Sequence, residues 1–277
     1  MISTISSLLQ QASQQLPQSE TAALDIELLL QHILAKSRSY LYTHPQQNLT
    51  EQQWNEFQSI LLRRQQGEPI AYILGTQEFW SLELVVTSDT LIPRPETELL
   101  VELCLQKLVN APLNIADLGT GSGTIALALA KERPQWQILA TDKSSAALQV
   151  AAANAKRLEL DNINFIVSDW CLSLPHNKKF AAIVSNPPYI ASDDPHLKDL
   201  YYEPQEALVS GKDGMVALNS IVQQAVNYLL PGGLLLLEHG YNQATAVQKQ
   251  MQNTGYKHIE SLADLAGNMR VTIGMIC

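Results

Sequence analysis

The spacing of apolar positions divides the chain into a helical first part and a remainder in which strands and helices alternate. Within residues 1–75, apolar residues recur three or four positions apart, which is typical of an amphipathic helix. The clearest example shares one helical face: Ala23, Ile26, Leu30, Ile33 and Leu34. Ser19 is a candidate cap for that helix, and Thr50-Glu51-Gln52-Gln53 reads as a capping box for a second helix that ends near Gly67. We therefore expect a small helical bundle.

After a predicted strand or hairpin at Glu78–Val86, short apolar runs alternate with helical segments. The predicted strands are Ile115–Leu118, Gln137–Thr141, Ile163–Val167, 180–185, Leu234–Leu237, Tyr256–Leu262 and Val271–Met275. The predicted helices are Leu99–Val109, Thr124–Lys131, Ala146–Leu158, Met215–Leu230 and Ala244–Asn253. This alternation indicates an α/β fold with a mostly parallel twisted sheet, and the last two strands should form an antiparallel hairpin.

These patterns predict a helical domain at 1–75, a linker hairpin at 76–90 and a large α/β domain at 91–277. A length of 277 residues agrees with one large and one small domain. Two interpretations of the helical part stay open on sequence alone: a substrate-docking module, or an appendage that only packs against the larger domain. The irregular segment 191–212 is too long for a plain connection and is a candidate substrate loop.

Composition narrows the class of partner. The net charge of −9 favours a protein or small-molecule substrate over nucleic acid, which usually requires a basic face. Three cysteines, Cys104, Cys171 and Cys277, lie far apart without metal-ligand spacing, so we expect reduced thiols in a cytoplasmic protein and no metal. The N-terminus resembles no signal peptide, and no apolar run is long enough to cross a membrane.

The stiffest candidate for chemistry is Asn186-Pro187-Pro188-Tyr189, which follows the predicted strand 180–185. Two prolines end the strand and fix the backbone, so the turn holds a side-chain amide, a backbone carbonyl and an aromatic ring in place. The Asn186 oxygen and the Pro187 carbonyl are both hydrogen-bond acceptors, which suits a planar substrate that carries an –NH2 group. Such a nitrogen is a poor nucleophile because its lone pair is delocalised, so positioning it beside an electrophile is valuable. The alternative is a turn without further function.

Three other strand ends carry polar residues that suit a nucleoside. Gly119-Thr120-Gly121-Ser122-Gly123 follows the first strand of the large domain, and glycines there permit a tight turn and a close approach to a ligand. Asp142 ends the next strand, where an acid can accept hydrogen bonds from ribose hydroxyls. Asp169-Trp170 ends the third, where an acid and a ring can hold an adenine.

Each feature alone also has a structural explanation: Asp142 as a helix cap, Trp170 as an aromatic at the edge of the core. If the strands are parallel, however, all these residues lie at one edge of the sheet, which predicts a nucleoside-type pocket beside an amide-binding turn. His239, at the end of strand 234–237, is the histidine near that edge, and we expect its role to be structural.

The large domain resembles the class I methyltransferases that use S-adenosylmethionine and have a Rossmann-like fold. Asp117–Gly123 is similar to their cofactor loop, and Asn186-Pro187-Pro188-Tyr189 to the signature of members that methylate planar nitrogens. Further stretches resemble the bacterial peptide chain release factor glutamine methyltransferases: Arg63-Arg64, Gly67-Glu68-Pro69, Phe79-Trp80, Ile92–Glu98 and Arg270-Val271. The chain departs from that family at Trp80-Ser81, where Tyr-Gly is frequent, and in segment 191–212.

This resemblance implies N5-methylation of the glutamine in the Gly-Gly-Gln motif of class 1 release factors, in translation termination. It assigns S-adenosylmethionine to Gly119, Thr120, Gly121, Ser122, Gly123, Asp142, Asp169, Trp170 and Asn186. It assigns the target glutamine to Asn186, Pro187, Pro188 and Tyr189, with Asn186, Pro187 and Tyr189 as the catalytic residues. The implied protein is a cytoplasmic monomer that binds no nucleic acid or membrane.

Two other functions stay open at the level of sequence. The same chemistry could act on a glutamine of a ribosomal protein or, against the acidic charge, on a nucleic-acid amine. A non-catalytic module that keeps the pocket for binding alone is the third interpretation.

Overall fold

A computed structural model of the chain describes residues 3–277, which form two compact units divided between residues 76 and 77. The first unit is helical. Its helices are α1 (Ile5–Gln10), α2 (Ala12–Gln15), α3 (Ala22–Leu34), α4 (Arg38–Thr43), α5 (Glu51–Gln65) and α6 (Ile70–Leu74). Its apolar core centres on α3, where Ile26, Leu29 and Leu30 are fully buried together with Phe57 of α5. The predicted helical bundle is therefore present.

The start of α3 differs from the prediction. Thr21 occupies the cap position, and the helix begins at Ala22 rather than after Ser19. The Ser19 hydroxyl instead donates to the Asp25 carboxylate at 2.7 Å. The same carboxylate accepts from the Arg64 guanidinium at 2.8 Å. An ionised carboxylate buried in a small bundle requires such partners, and these contacts tie the start of α3 to the end of α5.

The capping box of α5 is confirmed. The Thr50 hydroxyl accepts from the backbone N–H of Gln53 at 3.2 Å, and the Gln53 side chain accepts from the Thr50 N–H at 3.0 Å. These reciprocal bonds satisfy two backbone donors that the first turn of a helix leaves without partners.

A two-stranded hairpin, β1 (Thr76–Phe79) and β2 (Leu82–Val85), precedes the large sheet. Its turn consists of Trp80 and Ser81, which both adopt positive φ, at 51° and 55°. A two-residue hairpin turn of this type suits the twist of the strands, but the left-handed region disfavours residues with a Cβ.

The second unit contains a seven-stranded sheet in the order β5-β4-β3-β6-β7-β9-β8. The strands are β3 (Asn114–Leu118), β4 (Gln137–Asp142), β5 (Ile163–Val167), β6 (Phe180–Ser185), β7 (Leu229–Glu238), β8 (Lys257–Ala263) and β9 (Met269–Met275). Strands β3 to β7 pair in parallel, and β9 is antiparallel to both β7 and β8. The predicted α/β fold with a C-terminal antiparallel hairpin is confirmed.

The helices of this unit are α7 (Glu98–Lys107), α8 (Thr124–Glu132), α9 (Ser145–Arg157), α10 (Val216–Ala225) and α11 (Ala244–Thr254). The predicted helix at 215–230 is wrong at its end, since α10 stops at Ala225. The backbone N–H of Phe180 bonds the Tyr228 carbonyl at 2.9 Å, and Leu229 already pairs with Phe180 as the first residue of β7. Pairing with β6 thus overrides the helical propensity of the last few residues.

Both faces of the central strands are buried, as expected of a parallel sheet flanked by helices. Ile115 faces one cluster of apolar side chains and Ala116 the other, and both are fully buried. This packing fixes β3 to β6 between the two layers of helices. It therefore also fixes the position of the loops that follow the carboxyl ends of these strands. Among residues 3–277, no helix has both the length and the apolar character needed to cross a bilayer.

We expect Ser81→Gly to stabilise the protein by about 1 kcal/mol, because glycine adopts the positive φ of the hairpin turn without a Cβ penalty. The Ser81 side chain is exposed, so little packing is lost. Urea unfolding provides the measurement. The control is Ser192→Gly, an exposed serine outside the left-handed region. Equal or lower stability of the Ser81 variant than of the control would contradict this interpretation of the turn.

Candidate active site

A cavity of about 840 Å³ lies at the carboxyl ends of the parallel strands in the second unit. This is the edge at which open α/β sheets bind ligands. It brings together residues from all four predicted strand ends. Of the predicted site residues, the following line it: Gly119, Thr120, Gly121, Ser122, Asp142, Asp169, Trp170, Asn186 and Pro188.

The glycine loop between β3 and α8 favours glycine because of its backbone conformation and, at one position, because a side chain lies close by. Gly119, Gly121 and Gly123 all have positive φ, at 72°, 56° and 91°. At Gly123 a Cβ would also lie 2.7 Å from the end of the Leu127 side chain, which would have to shift to make room. At Gly121 a Cβ would meet nothing within 4 Å, since this glycine faces open space at the cavity.

Asp117 holds the loop from beneath. Its carboxylate accepts from the Thr120 hydroxyl at 2.6 Å and from the Ala126 backbone N–H at 3.2 Å, at the start of α8. Burial raises the pKa of Asp117 to about 7 despite these bonds. Because the side chain is fully buried and does not line the cavity, it organises the loop and does not contact a ligand there.

Asp142, at the end of β4, accepts from two backbone amides. Its oxygens receive the N–H of Gly121 at 3.0 Å and the N–H of Ser144 at 2.9 Å. The helix-cap interpretation is therefore wrong for this residue, because Ser144 caps α9 with its own hydroxyl. Each carboxylate oxygen has a second lone pair, so Asp142 can still accept from ligand hydroxyls.

Asp169 and Trp170 lie beyond the end of β5. Asp169 is exposed at the cavity, and Trp170 is half-buried with φ at 51°. The Trp170 ring lies against the backbone of the glycine loop, where a Cβ on Gly119 would come within 3.3 Å of it. It also packs on the apolar cluster under the sheet, as the core-edge interpretation expects, while its role in ligand binding stays a prediction.

Asn186 follows β6 directly and lines the cavity. Its amide nitrogen donates to the Thr97 hydroxyl at 3.0 Å. The amide oxygen lies on the opposite side of the group and remains an available acceptor. Thr97 also lines the cavity, so segment 92–98, which the sequence analysis singled out only as a resemblance, supplies part of the site.

Two residues of the proline turn lie outside the cavity lining. Pro187 is buried, and the Tyr189 ring packs on the apolar cluster while its hydroxyl reaches Glu238 Oε1 at 3.4 Å. Burial raises the pKa of Tyr189 above its ordinary range. The turn does hold an aromatic ring, but that ring packs away from the cavity and does not line it. The assignment of Pro187 and Tyr189 to the substrate stays a prediction.

Sequence reasoning missed the role of Glu238 at the end of β7. The side chain is 1% exposed, and burial raises its pKa to about 7. Hydrogen bonds from Thr97 and Tyr189 oppose that rise. A charged residue in an otherwise apolar buried strand was the available signal. The adjacent His239 is fully buried with Nε2 at 2.7 Å from the Thr272 hydroxyl, which agrees with a structural role.

Glu203 is a second missed residue. It is 4% exposed, accepts from the Ile92 backbone N–H at 3.1 Å and forms an ion pair with Arg94. It thereby anchors segment 191–212 to segment 92–98, which contributes Arg94 and Thr97 to the cavity. Segment 191–212 is irregular, as predicted, with short 3-10 helices at Pro195–Lys198 and Gln205–Ala207.

The residues present fit the cofactor that the resemblance implies. The glycine loop offers close backbone approach, Asp142 retains acceptor capacity for hydroxyls, and Asp169 with Trp170 offers an acceptor and a ring. Asn186, the candidate amide-binding group, lines the same cavity. The assignment of each residue to the cofactor stays a prediction.

We expect Glu238→Gln to stabilise the protein more at pH 8 than at pH 5. A buried carboxyl whose pKa is raised to about 7 binds its proton more tightly in the folded state, so folding loses stability as pH rises from the unfolded value of 4.5 towards 7. Glutamine removes that loss. The difference between wild type and variant should grow by on the order of 2–3 kcal/mol between the two pH values in denaturant titrations.

The same change at the exposed Glu78 is the control, since that carboxyl stays in water on folding. Its effect should be small and equal at both pH values. A Glu238→Gln effect that is likewise independent of pH would show that the buried carboxyl carries no such desolvation cost.

Comparison with known proteins agrees with the geometry. The PrmC N-terminal domain family matches residues 7–75, and the methyltransferase small domain family matches residues 95–263. Among solved structures, a methyltransferase from Pyrococcus furiosus has a TM-score of 0.54 at 17% identity and covers 79% of this chain and 96% of its own. A Thermus thermophilus 16S rRNA methyltransferase solved with AdoMet and guanosine has a TM-score of 0.55 at 17% identity, over 73% of this chain and 50% of its own. These two structures support the fold alone.

Two curated relatives are much more similar in sequence. The release factor glutamine methyltransferase of Coxiella burnetii is 52% identical over 256 residues, which is 92% of each chain. The enzyme of the same name from Escherichia coli is 45% identical over 268 residues, or 96% of each chain. Identity at this level over nearly the full length, with both domain families in the expected order, shows that this chain belongs to the release factor glutamine methyltransferase family.

Proposed function

We propose that this chain transfers a methyl group from S-adenosylmethionine to the side-chain amide nitrogen of the glutamine in the Gly-Gly-Gln motif of class 1 release factors. The observation that carries the proposal is the placement of Asn186 in the same cavity as the glycine loop, Asp142 and Trp170. A cofactor pocket and an amide-binding group thus share one enclosure. The names of the full-length relatives indicate which amide is the substrate.

Positioning is the main contribution that this site offers to the reaction. When bound, S-adenosylmethionine supplies an electrophilic methyl group. The Asn186 oxygen accepts from one N–H of the substrate amide, and its own amide nitrogen is held by Thr97, so the acceptor is fixed before the substrate arrives. We assign the second substrate contact to the Pro187 carbonyl, as the proline turn predicts. Two acceptors on the amide hydrogens orient the nitrogen lone pair towards the methyl group.

A strong general base is not needed in this scheme. The methylated amide nitrogen carries one proton too many, and such a cation is acidic enough to release it to water. The buried acid Glu238 lies behind Thr97 and Tyr189, outside the cavity lining, so we assign it no direct proton transfer with the substrate. The protein's remaining task is to exclude water, and residues 204–207 and 209–211 form part of the cavity wall that would do so.

For the cofactor, we propose that Asp142 receives the ribose hydroxyls and that Asp169 and Trp170 hold the adenine. We propose that the loop from Gly119 to Gly123 lets the protein backbone come close to the cofactor. The helical unit, which matches the PrmC N-terminal domain family, is the proposed docking module for the release factor. The net charge of −9 favours a protein substrate over nucleic acid, and we further propose that the chain acts as a cytoplasmic monomer.

The direct test is mass spectrometry of purified release factor after incubation with the chain and S-adenosylmethionine. We expect a gain of one methyl group on the Gly-Gly-Gln glutamine, and no label on ribosomal proteins or DNA offered in parallel. Methylation of a ribosomal protein with none on the release factor would replace the proposed substrate. Cofactor binding without transfer to any of these would favour a binding module.

Asn186→Ala should lower turnover by roughly 10²–10³, as loss of one preorganised polar contact at a reacting centre typically does. Affinity for S-adenosylmethionine should fall much less, which calorimetry can establish on the same sample. Asn164→Ala, at an exposed position on β5, is the matched control and should keep full turnover. Full turnover in the Asn186 variant would refute the positioning role.

Asp142→Asn should weaken S-adenosylmethionine binding by roughly 10–100-fold, because hydrogen bonds to a charged acceptor contribute about 1.5–3 kcal/mol. The variant keeps one oxygen, which can still accept from one of the two backbone amides that Asp142 binds, Gly121 or Ser144. Calorimetric titration measures the affinity, with Asp193→Asn in the exposed part of segment 191–212 as the control. Equal affinity in the two variants would remove Asp142 from the cofactor site.

A further inference from the structure

A chain of hydrogen bonds connects the cavity to a buried acid behind it. The Asn186 amide nitrogen donates to the Thr97 hydroxyl at 3.0 Å. The same hydroxyl lies close enough to Glu238 to lower the pKa of that carboxyl against the effect of burial. The Tyr189 hydroxyl reaches Glu238 Oε1 at 3.4 Å from the other side. Asn186 and Thr97 line the cavity, whereas Glu238 and Tyr189 lie behind it. Thr97 and Glu238 are 3% and 1% exposed, so water has little access to compete.

The number of hydrogens fixes the direction of this chain. A threonine hydroxyl has one proton, and the Asn186 amide nitrogen can only donate. Thr97 therefore accepts from Asn186, and its own proton is left available for the Glu238 carboxyl beside it. The Tyr189 hydroxyl also donates to Glu238. Glu238 Oε2 has no partner, so a proton bound there would still leave Oε1 as the acceptor.

The two ends of an asparagine amide have nearly the same shape but opposite hydrogen-bonding roles. If Thr97 had no acceptor behind it, its proton could turn to the Asn186 oxygen, and the amide would rotate to satisfy that donor. Asn186 would then present N–H groups to the cavity. A substrate –NH2 would meet two donors instead of an acceptor, which repels it.

We propose that Thr97 and Glu238 are positioning residues that fix which end of the Asn186 amide faces the cavity. The acceptor at position 238 keeps the Thr97 proton directed towards Glu238 and away from Asn186. The Thr97 oxygen then stays available to accept from the Asn186 nitrogen. The Asn186 oxygen then faces the part of the cavity in which the substrate amide would bind. The consequence for turnover rests on the proposed function, whereas the orientation of the amide is a property of the free protein.

The test compares two substitutions that break the chain with two that keep it. Thr97→Val removes the hydroxyl at nearly constant shape, and Glu238→Leu removes the acceptor without leaving a buried charge. Thr97→Ser keeps the hydroxyl. Glu238→Gln keeps an oxygen, which two converging hydroxyl donors will hold in place. Thr272→Val, which removes another buried hydroxyl of the same sheet, controls for loss of packing and stability.

We expect turnover to fall about 10–100-fold in Thr97→Val and in Glu238→Leu. Cofactor affinity should stay within about threefold of wild type in both variants. The Ser and Gln variants and Thr272→Val should stay within about threefold in turnover. Equal losses in the breaking and conserving variants, or loss in Thr272→Val of the same size, would overturn the proposal in favour of a purely structural role.

The second readout needs no activity. In wild-type protein the Asn186 side-chain NH2 should show a nuclear Overhauser effect to the Thr97 methyl group and slow exchange with solvent, with the signal assigned by its loss in Asn186→Asp. We expect both to persist in Glu238→Gln and to disappear in Glu238→Leu. Persistence in Glu238→Leu would overturn the proposal even if methyl transfer is confirmed. Absence of methyl transfer by wild type, with the NMR pattern as expected, would instead reject the proposed function alone.

Discussion

The hydrogen bond between the Asn186 amide and the Thr97 hydroxyl is the contact on which the site depends. It joins the carboxyl end of β6 to the segment ahead of α7, residues that are 89 positions apart in the sequence. Without it, the asparagine would be a free rotor at the edge of a sheet. With it, the amide oxygen is a fixed acceptor inside a cavity that also contains the glycine loop and Asp142. The fold supplies the position of this group, and its hydrogen bond to Thr97 supplies its orientation.

The buried charges of this unit serve the site at some cost to stability. Asp117 beneath the glycine loop and Glu238 behind Thr97 are both fully or almost fully buried, and burial raises the pKa of each to about 7. An apolar residue at either position would pack without that desolvation cost. Asp117 accepts hydrogen bonds from the Thr120 hydroxyl and the Ala126 N–H and thereby holds the glycine loop. Glu238 offers an acceptor beside the Thr97 hydroxyl.

Much of the fold and the cavity followed from the sequence because both depend on local patterns. Apolar runs that end in polar residues located β3 to β6, and parallel pairing then placed Gly119, Asp142, Trp170 and Asn186 at one edge. The predictions were wrong or incomplete where contacts with residues distant in the sequence determine the local structure. Strand β7 begins at Leu229 because it pairs with Phe180, which shortened the helix expected to reach Leu230. The direction of the Tyr189 ring, the bond from Asn186 to Thr97 and the anchoring of Ile92 and Arg94 by Glu203 all depend on tertiary contacts that no local pattern encodes.

The central claim is that the Asn186 oxygen holds the nitrogen of a substrate amide. A high-resolution structure of the chain with S-adenosylhomocysteine and a peptide that contains Gly-Gly-Gln tests it most directly. The account predicts the glutamine side-chain nitrogen in the cavity, within hydrogen-bond distance of Asn186 Oδ1, while Asn186 Nδ2 remains on Thr97. A glutamine amide bound elsewhere, or one that faces Asn186 Nδ2 with Thr97 released, would contradict it.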